Sequence, residues 1–283
     1  MKVYNTKEEL QGALSVIRDR QESLGFVPTM GALHEGHLAL VEQALEENNW
    51  VVVSIFVNPT QFDNARDLER YPRTLESDVN LLETVSKKRI IAYAPTVNDI
   101  YQGNAKAERF DFDGLENEME GAFRDGHFDG VGTIIKRLFN IVKPEKAYFG
   151  EKDFQQLQII RKLVEKQKLN VKIVGCKIHR ETNGLAMSSR NTRLDIEHKD
   201  EAPFIYKTLI EAKEKFGIES ANKVTKWVVS QFAKNELLKL EYFTIAEIST
   251  LKEVKRKSNK KQYRAFIAVY AGSIRLIDNI ALN

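Results

Sequence analysis

Up to about residue 175, short apolar runs alternate with stretches in which apolar side chains recur every three or four positions. Residues 50–57 (WVVVSIFV) are apolar almost throughout and rich in β-branched side chains. That is the pattern of a strand covered on both faces in a parallel sheet. Residues 25–28, 89–94, 147–149 and 171–176 predict further strands. Helical patterns fall between them, at 37–47 with Leu38, Val41, Ala44 and Leu45 on one side, and at 75–85, 131–142 and 154–167. Such alternation predicts a doubly wound, Rossmann-like α/β domain whose ligand site lies at the carboxyl ends of its parallel strands.

The pattern then changes. Two charged helices are predicted over residues 196–234, separated near Gly217, followed by alternating strands at 240–248, 263–270 and 274–279. Ala271-Gly272-Ser273 reads as a hairpin turn between the last two strands. The expectation is a Rossmann-like domain over residues 1–181 and a smaller α+β C-terminal domain over 182–283.

Composition narrows the function without naming it. The 283 residues carry 43 basic and 40 acidic side chains, a net charge of +3, so nothing drives the chain toward nucleic acid. The basic stretch 252–261 (KEVKRKSNKK) has no interleaved aromatic residues and reads as a solvated loop. A single cysteine, Cys176, excludes an internal disulfide and suits a reducing compartment. The first twenty residues are amphipathic and mixed in charge, unlike a signal peptide, and no run approaches the ~20 apolar residues of a membrane helix. A cytoplasmic protein without a membrane partner is expected.

Three segments carry candidate chemistry. In Pro28-Thr29-Met30-Gly31-Ala32-Leu33-His34-Glu35-Gly36-His37 a strand runs into a glycine-containing turn, and a helix begins near His37. A helix N-terminus offers unpaired N–H groups and the positive end of the dipole, a natural seat for phosphate. His34 and His37 can donate to a triphosphate as charge builds on the leaving group. A histidine pair is equally at home in a structural role, whereas zinc wants a third ligand and i, i+4 spacing. In the second segment, Gly184-Leu185-Ala186-Met187-Ser188-Ser189-Arg190-Asn191, small hydroxyl residues beside a fixed arginine fork can wrap phosphates or simply cap a helix. The third, Phe149-Gly150-Glu151-Lys152-Asp153-Phe154-Gln155-Gln156, follows a short strand, where an α/β ligand site belongs.

Together, and in this order, the three segments closely resemble the pantothenate synthetase family of the H-x-G-H nucleotidyltransferase superfamily. The resemblance covers almost the whole chain, through Val53-Ser54-Ile55-Phe56-Val57-Asn58-Pro59, Gln61-Phe62, Tyr71-Pro72-Arg73-Thr74, Arg124-Asp125-Gly126-His127-Phe128 and Leu276-Ile277-Asp278-Asn279. It implies condensation of (R)-pantoate with β-alanine, ATP becoming AMP and pyrophosphate through a pantoyl-adenylate, with Mg²⁺ required. By the same resemblance, Met30, Gly31, Ala32, Leu33, His34, Glu35, Gly36 and His37 hold the ATP phosphates, and His37 is catalytic with His34, Lys152 and Arg190. Gln61 and Gln156 grip pantoate. Gly150, Glu151, Lys152 and Asp153 line the nucleotide, and Met187, Ser188, Ser189 and Arg190 close over the triphosphate, with the small domain as a lid. Asn58 and Arg124 are secondary substrate contacts, Asp78 a candidate for placing Mg²⁺, and a homodimer is implied.

Three positions depart from the family pattern. Thr60 stands where Leu is common, Ser77 precedes Asp78 where some relatives carry a second acid, and His179 replaces an aliphatic residue against the nucleotide, leaving its backbone as the expected ATP contact. Two other activities fit parts of the pattern: transfer of a nucleotidyl group to a phosphate acceptor, and nucleotide sensing without catalysis. Both histidines with Lys152 and Arg190 weigh against a sensor, and the amides Gln61 and Gln156 against a phosphorylated acceptor. No G-x-x-x-x-G-K-[ST] or G-x-G-x-x-G run is present.

Overall fold

The computed structural model describes residues 1–62, 65–254 and 256–283. Lys255, part of the basic stretch, lies outside the described residues.

The chain divides into two compact units, Met1–Glu151 with Gln155–Lys177, and Lys152–Phe154 with Ile178–Asn283. The first holds strands β1 (Lys2–Tyr4), β2 (Leu24–Thr29), β3 (Trp50–Ile55), β4 (Ile90–Tyr93), β5 (Lys146–Gly150) and β6 (Lys172–Cys176). They form one parallel sheet in the order β1-β4-β3-β2-β5-β6. From β2 the chain runs through β3 and β4 to one side, then returns to place β5 and β6 on the other. The switch point therefore lies between β2 and β5, where a doubly wound sheet opens a crevice at its carboxyl edge. The segments leaving β2 and β5 are the first and third motifs.

The helices in chain order are α1 (Lys7–Asp19), α2 (Glu35–Glu47), α3 (Ala65–Arg70), α4 (Leu75–Val85), α5 (Val97–Tyr101), α6 (Met119–Phe123), α7 (His127–Val142) and α8 (Phe154–Lys166), then α9 (Ile196–Glu201), α10 (Phe204–Ile218) and α11 (Ala221–Phe232). Val27, Val41, Val51, Val53, Leu82 and Ile90 pack into one core cluster around α2, α4 and the strands. Helix α7 begins four residues earlier than its apolar pattern predicts. Gly130 and Gly132 make its first turns poor helix by propensity, but the backbone requires one of them. A Cβ on Gly130 would sit 2.1 Å from the Thr60 carbonyl oxygen, so only glycine lets α7 lie against the short 3-10 turn Pro59–Gln61.

In the second unit, α10 and α11 cover an antiparallel sheet of β7 (Leu238–Glu247), β8 (Tyr263–Ala271) and β9 (Ile274–Ala281) in sequence order. Leu209, Phe216, Val224, Val228, Ile267 and Val269 fill its core. The expected α/β then α+β order is present. Three helices stand where two were expected, and Gly217 lies in the last turn of α10 rather than between helices. The predicted hairpin turn is formed, with Gly272 at φ +57°. Among the described residues no helix is long and apolar enough to cross a membrane.

Candidate active site

The turn after β2 is held from below by Asp78 on α4. Its carboxylate accepts from the Leu33 N–H (2.8 Å), the Ala32 N–H (3.1 Å) and the Thr74 hydroxyl (3.2 Å). A charged, buried acceptor of this kind fixes a loop strongly. Gly31 adopts φ +82°, and a Cβ there would lie 3.0 Å from Asp78 Oδ2 and 3.1 Å from Ile55, so the turn needs glycine for conformation and space alike. Ala32 follows at φ +50°, a left-handed conformation uncommon for a residue with a Cβ. Asp78, expected beside Mg²⁺, is thus placed under the motif and spends both oxygens on it.

Helix α2 starts at Glu35, two residues before its expected start, which makes His34 its N-cap. The Gly36 N–H donates to His34 Nδ1 (3.1 Å), and the His34 N–H donates to His37 Nδ1 (3.3 Å). A nitrogen that accepts carries no proton, so each neutral ring holds its proton on Nε2. The rings stack obliquely with centroids 4.1 Å apart. Two imidazoles thus meet the helix N-terminus through Nδ1, beside the positive end of the helix dipole. Met30, Gly36 and Leu33 are half-buried around them, and Glu35 is exposed in the first turn of the helix.

Beside this loop, Asn58, Gln61, Arg124 and His127 come together. Gln61 Nε2 faces the Met30 sulfur, and Gln61 Oε1 accepts from Asn58 Nδ2 (3.2 Å). The Gln61 carbonyl accepts from His127 Nδ1 (2.7 Å), which leaves the His127 Nε2 lone pair facing Arg124 Nη1 (3.4 Å). Asn58 is buried and bonded on both sides of its amide, so it orients Gln61 from behind. Gln156, on α8, is half-buried and its side chain makes no hydrogen bond among the described residues. Its neighbour Gln155 is buried and tied to Leu115 O (2.8 Å), Glu118 O (2.7 Å) and Glu120 N (3.0 Å). Gly150 closes β5 and Glu151 opens the 3-10 turn after it.

The remaining candidates belong to the second unit. Lys152 lines a depression with Ser188, Arg190, Asn191, Arg275 and Asp278, so two motifs distant in sequence share one wall. The Lys152 ammonium lies 3.8 Å from Asp153, a loose pair with an exposed carboxylate. Asn279 on β9 donates to the Lys152 carbonyl (2.8 Å), fixing the lysine's backbone. Ser188 caps the 3-10 turn Ser189–Arg193 by accepting from the Arg190 N–H (3.2 Å). Asn191 donates to Ala186 O (3.1 Å) and Glu181 (2.8 Å), holding the loop's stem. The exposed His179 uses its carbonyl to accept from the Met187 N–H (3.0 Å), so that part of its backbone secures the loop. Behind the loop, Arg180 grips the buried Asp278 through both nitrogens (2.6 and 3.0 Å) and lies 3.5 Å over the Tyr206 ring.

Burial pushes the Cys176 thiol up to about 12, and the Glu47 and Glu151 charges add to the effect. It stays a thiol at neutral pH, packed in the core as its apolar strand predicts. The sequence reading missed Gln155, His127, Tyr101 and Asn279 as organisers of these segments. His127 and Asn279 lie inside quoted motifs, but nothing in their spacing tells a ligand from a buried tie.

A switch point flanked by a histidine-capped helix places the chain in the Rossmann-like class of nucleotide-binding α/β folds. Its sequence matches the family model described as Pantoate-beta-alanine ligase over residues 2–281. Pantothenate synthetases of Flavobacterium psychrophilum and Christiangramia forsetii are each 57% identical over the full length of both chains. The crystal structure of pantoate-beta-alanine ligase (pantothenate synthetase) from Thermus thermophilus superposes with a TM-score of 0.91 at 39% identity, covering 100% of this chain and 99% of that one. That of the Francisella tularensis ligase, complexed with beta-gamma ATP and beta-alanine, gives 0.77 at 34% identity over 100% and 98% of the two chains. The chain belongs to the pantoate-beta-alanine ligase family, and it is a ligase.

Proposed function

We propose that the protein condenses (R)-pantoate with β-alanine at the cost of ATP, giving (R)-pantothenate, AMP and pyrophosphate through a pantoyl-adenylate. Family membership supports the overall reaction, and the histidine pair at the N-terminus of α2, beside the switch point, is the observation that supports the chemistry.

A pantoate carboxylate oxygen bonds to the α-phosphorus while the bond from that phosphorus to the bridging oxygen breaks and pyrophosphate leaves. The reaction needs alignment and charge neutralisation more than proton transfer. His34 and His37 donate to phosphate oxygens as charge moves onto pyrophosphate, and Lys152 and Arg190 add fixed positive charge. Met30 to Gly36, Gly150, Glu151, Asp153 and Met187 to Ser189 cradle the nucleotide. Gln61 and Gln156 hold pantoate, with Arg124 beside them. The β-alanine amine then attacks the acyl carbon, loses a proton and displaces AMP. The buried thiol Cys176 is unsuited to a covalent intermediate.

Among the described residues no group of three or more His, Cys, Asp or Glu could hold a metal ion. Mg²⁺ enters in this proposal as part of the substrate, Mg–ATP, which needs no protein cage, and Asp78, whose two oxygens accept from Ala32 and Leu33, supports the loop. The proposal includes residues 182–283 as a lid, a homodimer and a cytoplasmic location; analytical ultracentrifugation checks the dimer.

Pyrophosphate exchange tests the reading. With Mg²⁺ and pantoate, and without β-alanine, labelled pyrophosphate should enter ATP, and adding β-alanine should yield AMP and pantothenate. Exchange without pantoate, or no exchange until β-alanine is added, overturns the stepwise order.

A further inference from the structure

Next to the amide assigned to pantoate lies a run of hydrogen bonds whose direction can be worked out. Asn58 is almost wholly buried, at 1% exposure, so its amide must satisfy both ends inside the protein. The Thr60 N–H can only donate and lies 3.4 Å from Asn58 Oδ1, while the Gly130 carbonyl can only accept and lies 3.2 Å from Nδ2. These two backbone groups decide which way the amide faces. Tyr101 Oη sits 2.5 Å from Oδ1 and so must donate to it. Its single proton is then spent, so the phenol oxygen can only accept from the Thr60 hydroxyl, whose one proton lies between that oxygen (2.9 Å) and Asn58 Oδ1 (3.1 Å). Asn58 Nδ2 also donates to Gln61 Oε1 (3.2 Å). That turns Gln61 Nε2 outward to the Met30 thioether, a weak acceptor that an oxygen ligand can replace.

We propose that Tyr101 and Thr60 are positioning residues for the acid substrate: acting through Asn58, they make Gln61 present its N–H donors, which selects an oxygen acceptor on a hydroxy acid. This rests on the assignment of Gln61 to pantoate made above. The Thr60 hydroxyl and the Tyr101 phenol both point toward Asn58 Oδ1, and the Asn58 amide points on to Gln61, so the two hydroxyls polarise the amide in a buried, weakly screened setting. The Tyr101 ring is held in place by the Arg137 guanidinium, 4.9 Å from its centroid, which also donates to Ile100 O (3.0 Å). Burial raises the Tyr101 pKa, so the phenol keeps the proton it donates.

The test uses the full chain with Tyr101→Phe, Thr60→Val, the double variant and Gln61→Ala, measuring KM for pantoate, KM for ATP and the melting temperature. Tyr101→Phe should raise the pantoate KM about tenfold, the effect of leaving one buried acceptor short of a donor, with the ATP KM within about twofold of wild type. Thr60→Val should raise it by about threefold, and the double variant, which strips Asn58 Oδ1 of both hydroxyl donors, should raise it by more than the product of the two single effects. Equal rises in both KM values, or a double variant no worse than Tyr101→Phe alone, would assign the two residues to general packing and overturn the proposal. So would an unchanged pantoate KM in Tyr101→Phe alongside a raised one in Gln61→Ala. An unchanged pantoate KM in Gln61→Ala overturns the substrate assignment itself. Should Tyr101→Phe fail to fold, Thr60→Val alone decides, and an unchanged pantoate KM there overturns the proposal.

Discussion

Two imidazoles that each accept a backbone N–H at the start of α2 would, under the proposed reaction, do structural and chemical work at once. His37→Ala removes a donor that is most valuable when charge develops on the departing pyrophosphate. Turnover should fall by the equivalent of ~2–4 kcal/mol in barrier, with ATP affinity changed far less. Steady-state kinetics on the folded variant, with calorimetry using a nonhydrolysable ATP analogue, checks this. Asp78→Asn keeps the shape of the side chain but presents an NH₂ group to a backbone N–H of Ala32 or Leu33. A loss of about 2 kcal/mol in stability is expected, together with lost turnover at Mg²⁺ concentrations that saturate the wild type. Recovery at higher Mg²⁺ would return Asp78 to the metal. At this scale the sequence singled out candidate residues and concealed what several of them touch. Asp78 and Asn58 carry the donor atoms of ligands, but the structure spends those atoms on backbone and neighbouring amides. Gln155 and Gln156 are adjacent and chemically identical, and only the turn of α8 decides which is buried.

Element boundaries follow the same logic of hidden partners. The strands β3 and β4 were legible because burial on both faces demands unbroken apolar runs. Strand β1 is three residues at the sheet edge and leaves little pattern to read. The start of α7 was obscured by its glycines, whose cause is a carbonyl about seventy positions earlier in the chain. Gly130→Ala is a sharp probe of that contact. The new methyl must push α7 away from Pro59–Gln61, costing about 1–3 kcal/mol and displacing Asn58 and Gln61 with the turn. Thermal unfolding should show the loss, and the pantoate KM should rise more than the ATP KM. A Gly130→Ala protein with wild-type melting and kinetics would mean that the turn moves freely with the helix.

For the molecule as a whole, the order of strands and helices announced an α/β unit followed by a smaller α+β unit, because the two differ in hydrophobic period. The sequence could not announce that Lys152–Phe154 would group with the second unit, since that depends on a contact made 127 positions later, between Asn279 and the Lys152 carbonyl. A chain ending at Glu181 retains all six parallel strands but loses Met187 to Arg190 and β9. It should stay soluble with an α/β circular dichroism spectrum and catalyse no pyrophosphate exchange; wild-type exchange would remove the second unit from the reaction. The same contact has a meaning for synthesis. Folding on the ribosome proceeds from the N-terminus, so the parallel sheet can form while the partner of the Lys152 carbonyl is still untranslated. Under the proposed reaction, a growing chain would acquire its parallel sheet early and the tie that fixes Lys152 late, and would consume no ATP until β9 has been made.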